Sequence, residues 1–206
     1  MGRKDGVKLI AVSKTQPIEL IEEAISCGIR DIGENKVQEL IDKMDILKDI
    51  PYYHMIGHLQ TNKVKYIAED VHLIHSLDRI SLAKELNKRG VNKNIDCLIQ
   101  VNISKEDTKF GLVKDEVIPF IEEIMGFNNI NIKGLMTIAP FTDDEKVLRM
   151  VFRGLYELKE EILKRRYKEL NMDILSMGMT NDFEIAIEEG SNMVRVGTGI
   201  FGKRNY

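Results

Sequence analysis

Eight short apolar runs alternate with amphipathic segments of helical spacing along this chain of 206 residues. The runs lie at 7–13, 29–34, 52–57, 71–76, 95–103, 130–138, 173–178 and 192–197. Several are apolar at consecutive positions, which is typical of parallel strands covered on both faces. Alternating strand and helix imply right-handed parallel crossovers, and eight strands is the number that closes a (β/α)8 TIM barrel. We therefore predict an α/β protein with a single barrel domain over residues 1–206.

The spacing also places the first and the longest helix. In "PIELIEEAISCG" the isoleucines at 18, 21 and 25 share one face, Pro17 takes the first helical position and Gly28 ends the helix. The longest helix is predicted from Asp144 to Lys168. Its apolar stripe consists of Leu148, Val151, Phe152, Leu155 and Ile162. An open doubly wound sheet is the alternative fold, but "SKTQPIE" after the first strand lacks the glycine-rich turn that such sheets normally carry.

Charge and apolar patterning exclude several classes of partner. The net charge is −3 and the basic residues are dispersed, so neither a nucleic-acid footprint nor a polybasic membrane segment is present. No apolar run reaches the roughly 18 residues that a membrane span needs. Cys27 and Cys97 are far apart, which predicts a cytoplasmic protein with two buried, reduced thiols. The four histidines are interpreted as packing or surface residues rather than metal ligands.

Lys14 follows directly after the first apolar run, in "IAVSKTQP". Barrel enzymes place their active groups where the strands end, on the carboxyl face. Lys14 has the same side-chain parity as Ile10 and Val12. If those side chains point into the barrel, the amine of Lys14 is predicted to lie at the barrel mouth. Apolar walls disfavour the charged form of an amine and make it a nucleophile toward carbonyls. This is the requirement for a Schiff base.

A second candidate group lies near the other end of the chain. The loop after strand seven, "SMGMTNDFEIAIEEG", and the loop after strand eight, "RVGTGIFG", offer backbone N–H groups suited to an anion. Ser176, Thr180 and Thr198 add hydroxyls, and barrels often bind phosphate at these two loops. Asp182 would repel a phosphate and is interpreted as a helix cap. The alternative interpretation of "GTGIFG" is a simple turn that binds no anion.

Arg195 is the third element, within strand eight and two residues before Gly197. A buried arginine needs an acceptor because it cannot shed its charge. A lysine, an arginine and a phosphate cradle around one mouth fit a phosphorylated aldehyde that has a ring acceptor between its ends. Pyridoxal 5′-phosphate (PLP) has that shape.

The motifs "AVSKTQP", "IGEN", "VQEL", "HMIGHLQTNK", "VNISKEDTKFGL", "KGLMTI" and "LSMGMTNDFEIAIEEGSNMVRVGTGIFG" occur in this order between residues 7 and 202. The series resembles that of the YggS/PROSC family of pyridoxal phosphate homeostasis proteins, which are single barrels similar to the N-terminal domain of alanine racemase. The resemblance implies an aldimine between PLP and Lys14, and Arg195 near the pyridine nitrogen. It implies phosphate contacts from Ser176, Thr180, Gly197 and Thr198. Asn35, after strand two, is expected to line the pocket.

Two departures from the family pattern are visible. Family members usually carry a helix before the first strand, and "MGRKDG" begins about where that helix ends. We therefore expect the helix to be missing here, either because the chain is shortened or because its start is misassigned. Lys36 in "GENKVQEL" replaces a residue that is commonly aromatic in the family. This substitution affects whatever contact the aromatic ring makes, but not the aldimine.

The sequence favours a carrier over an enzyme. A permanently cationic Arg195 at the ring nitrogen disfavours the protonation that makes PLP an electron sink. The resemblance implies a protein that holds PLP, delivers it and helps to balance vitamin B6 and amino-acid pools, with apo PLP-dependent enzymes as possible recipients. We expect a monomer. The alternatives are a PLP-dependent enzyme of the amino-acid racemase type, which requires a base opposite Lys14, and a lysine-dependent aldolase, which would be colourless.

Overall fold

The structure is a computed structural model that describes residues 6–106, 109–167 and 170–202. Eight parallel strands pair in sequence order and close into a barrel, in which β8 pairs with β1. The strands are β1 Lys8–Val12, β2 Asp31–Glu34, β3 Tyr52–Met55, β4 Leu73–Leu77, β5 Ile95–Gln100, β6 Ile130–Met136, β7 Ile174–Met179 and β8 Met193–Val196. The predicted fold class is confirmed, since each strand coincides with one of the eight apolar runs.

Helices connect the strands on the outside of the barrel. They are α1 Ile18–Ser26, α2 Val37–Leu47, α3 Ile80–Arg89, α4 Lys114–Ile124, α5 Glu145–Lys164, α6 Phe183–Glu188 and α7 Thr198–Phe201. Between β3 and β4 the connection is a 3₁₀ segment, Thr61–Tyr66, instead of an α-helix. The single domain over 1–206 stays a prediction. The predicted absence of an N-terminal helix concerns residues 1–5, which lie outside the described residues.

Two buried apolar clusters stabilise the barrel. The larger cluster packs the helices against the outer face of the sheet. The smaller cluster takes one buried side chain from each of five strands, which places it inside the barrel. Its members are Ile10, Leu73, Leu98, Met136 and Met193. Ile10 belongs to this interior cluster, so the inward parity predicted for the first strand is confirmed.

The helix predictions hold with small corrections. Ile21 on α1 is fully buried, and the isoleucines at 18 and 25 pack against the same core. Pro17 directly precedes the helix instead of beginning it. The α5 stripe is buried as predicted, but the helix ends at Lys164, four residues before the predicted end, and Arg166 has a φ of +53° that no helix can contain. Lys168 lies outside the described residues.

The two cysteines differ in exposure. Both are free, and Cys97 is buried inside the core, where burial raises the pKa of its thiol. Cys27 is exposed, so the prediction of two buried thiols is wrong for this residue. The reason is its position at the solvent-facing end of α1, one residue beyond Ser26. In the described part of the chain no helix is long and apolar enough to cross a membrane.

Candidate functional site

A cavity of about 460 Å³ opens where the strands end on the carboxyl face of the barrel. Six of the seven predicted cofactor-binding residues line it: Lys14, Asn35, Thr180, Arg195, Gly197 and Thr198. A larger cavity of about 640 Å³ lies at the opposite face and is lined by none of them. We call the first the mouth cavity and the second the floor cavity. Among the described residues that line the mouth cavity, none is acidic.

A strained turn carries Lys14 to the mouth cavity, two residues after β1 ends. The next residue, Thr15, has a φ of +62°, a left-handed conformation that is costly for a β-branched residue. Two bonds hold it there: the Thr15 N–H donates to Glu39 Oε2 over 2.8 Å, and its hydroxyl donates to the Lys14 carbonyl over 2.6 Å. Helix α2, which carries Glu39, thus fixes the direction in which the chain leaves β1.

A buried polar group, the Glu34 cluster of Ser13, Glu34 and Lys43, ties the ends of β1 and β2 together beside the cavity. Glu34 is fully buried, and its Oε1 lies 2.5 Å from both Ser13 Oγ and Lys43 Nζ. Lys43 also donates to the Ser13 carbonyl over 2.6 Å. Burial raises the pKa of Glu34 despite the opposing charge of Lys43. Since Ser13 precedes Lys14 and Glu34 precedes Asn35, this cluster sets the spacing of two cavity residues.

The ends of β2 and β3 meet closely at the same mouth. A side chain at Gly57 would place its Cβ 2.2 Å from the carbonyl oxygen of Asn35, closer than real Cβ contacts occur. Glycine is therefore required where the two loops cross. This close approach brings Asn35 and the residues after β3 to one wall of the mouth cavity.

Hydroxyl and amide groups gather at the loops after β7 and β8. The Gly197 N–H donates to Thr180 Oγ1 over 3.3 Å, and the Thr198 hydroxyl lies 3.2 Å from the same oxygen. Each of these three groups can donate to an anion. Asp182 stands before α6, but its carboxylate accepts from the Met179 N–H and makes no bond to the helix. Asp182 holds the N-cap position of α6 as predicted, but its carboxylate turns back to close its own loop instead of capping the helix.

Arg195 lies at the bottom of the mouth cavity and is buried. Its Nη1 donates to Ser176 Oγ over 2.6 Å, and its Nη2 donates to the Thr137 carbonyl over 2.9 Å. Burial lowers the pKa of Arg195 to about 10, against the pull of Asp182. The guanidinium therefore stays cationic at neutral pH, held by a hydroxyl and a carbonyl rather than by a carboxylate.

Ser176 is the one predicted cofactor residue that the structure places elsewhere. It is fully buried, does not line the mouth cavity, and bonds to Arg195 and to His75. The geometry does not support a phosphate contact from its hydroxyl. Ser176 lies within β7, four residues before Thr180, which follows the end of the strand. It belongs to the barrel interior, below the loops that the motif implied.

Several cavity residues were missed by sequence reasoning. The ring of His58 stacks on Phe110 with centroids 3.9 Å apart, and both line the cavity, as does Gln100. Phe110 lies in an irregular loop after β5, where no periodicity could have indicated it. Met179 also lines the cavity, whereas Met136 and Met177 are buried in the core. Lys36 is exposed, and its Nζ lies 3.8 Å from Glu39.

Comparison with known proteins identifies the class of this barrel. The family model of the alanine racemase N-terminal domain matches residues 1–205. Fold and site together define a barrel of the alanine racemase N-terminal class, with a lysine and a hydroxyl-lined pair of loops at its mouth.

Within that class the sequence relatives are more specific. The pyridoxal phosphate homeostasis protein of Aquifex aeolicus is 47% identical over 202 residues, covering 97% of this chain and 88% of the relative. The protein of the same name from Escherichia coli is 38% identical over 206 residues, covering 97% and 87%. The chain belongs to the pyridoxal phosphate homeostasis protein family, which confirms the predicted resemblance.

Solved structures agree with this assignment. PipY of Synechococcus elongatus, solved without PLP, superposes with a TM-score of 0.89 at 34% identity, over 95% of this chain and 93% of PipY. The same protein solved with PLP bound gives 0.88 at 33% identity, over 95% and 92%. Alanine racemase of Clostridium difficile gives 0.77 at 13% identity, over 99% of this chain and 53% of the racemase, which shows the shared fold alone.

Proposed function

We propose that this protein binds PLP in the mouth cavity as a covalent aldimine with Lys14. The amine adds to the aldehyde carbon, a C=N bond forms, and one water molecule leaves. The observation that carries the proposal is the meeting of Lys14 with Thr180, Gly197 and Thr198 in one cavity, although they lie at opposite ends of the chain. The protein would thereby contribute to vitamin B6 and amino-acid homeostasis.

The chemistry of the cavity fits a phosphorylated aldehyde. The cationic Arg195 lines the cavity together with the amine of Lys14, and no described lining residue is acidic, which suits an anionic ligand. Thr180, Gly197 and Thr198 supply donors where β7 and β8 end. We propose that Asn35 also contacts PLP from the wall of the cavity. Ser176 is proposed to act on PLP only indirectly, through its hydrogen bond to Arg195. PLP itself would supply the reactive aldehyde.

The relatives support the same ligand. The curated relatives are named pyridoxal phosphate homeostasis proteins, a name that describes no catalysed reaction, and PipY has been solved with PLP bound. We infer that this chain also acts as a carrier that exchanges PLP with apo PLP-dependent enzymes. Both cysteines are free thiols, which is typical of a reducing compartment, and we propose the cytoplasm. The monomeric state stays a prediction.

The phosphate side of the site can be tested apart from the aldimine. Replacing Thr180 or Thr198 with valine removes one donor at nearly constant volume. Each replacement is expected to weaken PLP binding about 10-fold, since a hydrogen bond to a charged group contributes roughly 1.5–3 kcal/mol. Fluorescence titration with PLP measures the effect. Thr142→Val, in the loop after β6, is the control, and equal affinities of all three variants and the parent would contradict the phosphate assignment.

A racemase is the alternative function, favoured by the shared fold alone. Racemisation needs a second acid–base group on the face opposite Lys14. No tyrosine is among the described residues that line the mouth cavity, and the cationic Arg195 disfavours a protonated pyridine ring. We expect amino-acid racemisation to stay at background with saturating PLP. Turnover that depends on Lys14 would replace the carrier proposal with an enzyme.

A further inference from the structure

A continuous line of hydrogen bonds leads from the mouth cavity into the barrel interior. Arg195 Nη1 lies 2.6 Å from Ser176 Oγ, and that oxygen lies 3.0 Å from His75 Nδ1. The other nitrogen of the same ring, His75 Nε2, lies 3.0 Å from His54 Nδ1. Each step uses a different atom of the intervening side chain, so the three bonds form one line from β8 through β7 and β4 to β3.

The line continues to the opposite face of the barrel. His54 Nε2 lies 2.9 Å from Asp31 Oδ1, at the start of β2. The same carboxylate oxygen accepts from Lys8 Nζ over 3.1 Å, and Lys8 lines the floor cavity. Arg195 lines the mouth cavity at the other end. The line therefore joins the two faces of the barrel, and we call its five residues the barrel relay. They are Arg195, Ser176, His75, His54 and Asp31.

The two ends of the relay require the same direction of donation. The Asp31 carboxylate can only accept, so the proton of a neutral His54 sits on Nε2 and its Nδ1 accepts from His75. A neutral His75 then carries its proton on Nε2, and its Nδ1 accepts the hydroxyl proton of Ser176. That orientation leaves a lone pair of Ser176 for Arg195, which can only donate. The tautomers of His54 and His75 therefore follow from the two ends of the relay, because Asp31 can only accept and Arg195 can only donate.

Burial keeps both rings neutral. The relay lies in the barrel interior, and His54, His75 and Ser176 have no exposed surface. Burial lowers the pKa of His54 despite Asp31, and it lowers the pKa of His75 well below the ordinary value, with further lowering by the charge of Arg195. Burial alone would raise the pKa of Asp31, but His54 and Lys8 outweigh it and keep the carboxyl ionised.

Other titratable groups touch the relay at its ends. The ring of His72 contacts the ring of His54 edge-on with centroids 5.4 Å apart, and His72 lines the floor cavity. Asp182 acts on Arg195 from the loop after β7. A change of charge in the floor cavity, at Lys8 or His72, thus reaches the relay through direct neighbours. In a buried, low-dielectric chain, each hydrogen bond polarises the next.

We propose that the barrel relay orients Arg195 toward the ligand of the mouth cavity and couples that ligand to the charge at Asp31 in the opposite face. His54, His75 and Asp31 are then positioning residues that act through Ser176 and Arg195. The coupling to a bound ligand rests on the proposed function, with PLP as the ligand. The arrangement of protons along the relay does not depend on any ligand.

The first test uses the cofactor-free protein. Long-range nitrogen-15 correlation spectra distinguish the two neutral tautomers of histidine from its charged form. His58→Gln and His72→Gln variants identify the remaining signals as His54 and His75. We expect both rings to be neutral with the proton on Nε2 between about pH 6 and 8. A proton on Nδ1 of either ring, or a charged ring in this range, would overturn the relay whether or not PLP binds.

The second test measures coupling to the ligand in the full chain. Ser176→Ala cuts the relay beside Arg195, and Asp31→Asn removes the charge at its far end while keeping the shape. We expect PLP binding to weaken about 10-fold in Ser176→Ala and at least about 3-fold in Asp31→Asn, with a shifted absorbance spectrum in both. Ser76→Ala is the matched control, because Ser76 is equally buried and its hydroxyl has no hydrogen-bond partner.

The outcomes separate the two proposals. If the parent protein does not bind PLP, the proposed function is refuted. The tautomers of His54 and His75 then still test the arrangement of protons along the relay. Parent-like PLP affinity and spectrum in both Ser176→Ala and Asp31→Asn refute the coupling while leaving PLP binding intact. Should Ser176→Ala not fold, judged by circular dichroism, Asp31→Asn alone decides, since it keeps the size and shape of the side chain that it replaces.

Discussion

Replacing Lys14 with alanine is expected to weaken PLP binding by at least about 100-fold, equivalent to about 2.8 kcal/mol, and to abolish the yellow colour of the PLP-loaded protein. Alanine cannot form the C=N bond, so only the noncovalent contacts of the mouth cavity remain. Lys14 is half-exposed at the barrel mouth, so the free energy of unfolding is expected to change by less than about 0.5 kcal/mol. PLP titration followed by visible absorbance, with urea unfolding of the same variant, measures both effects.

Two controls sharpen this expectation. Lys14→Arg keeps a cation at the mouth cavity but has no nucleophilic amine, and it is expected to be as colourless as Lys14→Ala. Lys36→Ala removes an exposed lysine that does not line the cavity, and it is expected to retain both colour and affinity. A Lys14→Ala protein that stays yellow and binds PLP like the parent would show that another amine holds the cofactor.

Replacing Lys43 with methionine is expected to lower the free energy of unfolding by about 3–5 kcal/mol. The change leaves Glu34 fully buried without its cation, and Glu34 Oε2 already has no hydrogen-bond partner. Isothermal urea unfolding measures the loss. Because Ser13 and Glu34 set the positions of Lys14 and Asn35, PLP binding is expected to weaken in the same variant.

The pH dependence identifies the cause of this loss. A carboxyl group with a higher pKa in the folded chain favours folding at low pH, and this advantage disappears as the pH rises through the folded pKa. Burial raises the pKa of Glu34, and Lys43 opposes the shift. The deficit of Lys43→Met is therefore expected to grow from about pH 5 to pH 8. The double variant Glu34→Gln with Lys43→Met removes both charges and is expected to recover at least half of the loss; a deficit that neither varies with pH nor recovers would exclude the buried charge as its cause.

Strand order and position could be predicted from the sequence because consecutive apolar residues mark strands that are covered on both faces. Several predicted strands run past their observed ends, and β5 and β6 are two of them. The run 95–103 covers β5, which ends at Gln100, and the run 130–138 covers β6, which ends at Met136. Ile138 is apolar because it lines the mouth cavity, not because it continues the sheet. Apolar pattern alone cannot separate these two causes.

The site could be predicted only as far as strand ends and motifs reach. Lys14 follows from its inward parity and its position just after β1, and Arg195 follows from its position within β8. The depth of a residue within the barrel, however, is not visible in the sequence. For this reason Ser176 was grouped with Thr180, although it lies deeper and bonds to Arg195. Phe110 reaches the cavity from an irregular loop, a position that depends on tertiary structure alone.

The barrel relay could not be predicted from the sequence, for a related reason. His54 and His75 are 21 residues apart, and each alone is interpreted as a packing histidine. Their contact depends on the pairing of β3 with β4 and on both side chains facing the barrel interior. Ser176 on β7 lies 101 residues after His75, and only closure of the barrel brings its hydroxyl to the His75 ring.

Mass spectrometry of the PLP-loaded protein after borohydride reduction shows which lysine forms the covalent bond to the cofactor. Reduction converts the C=N bond into a stable secondary amine, so the modified lysine can be located by peptide mapping. We expect one predominant modification, on the peptide that contains Lys14, and no such modification in Lys14→Arg. Modification of another lysine in place of Lys14, or no covalent adduct in a protein that nevertheless binds PLP, would contradict this expectation.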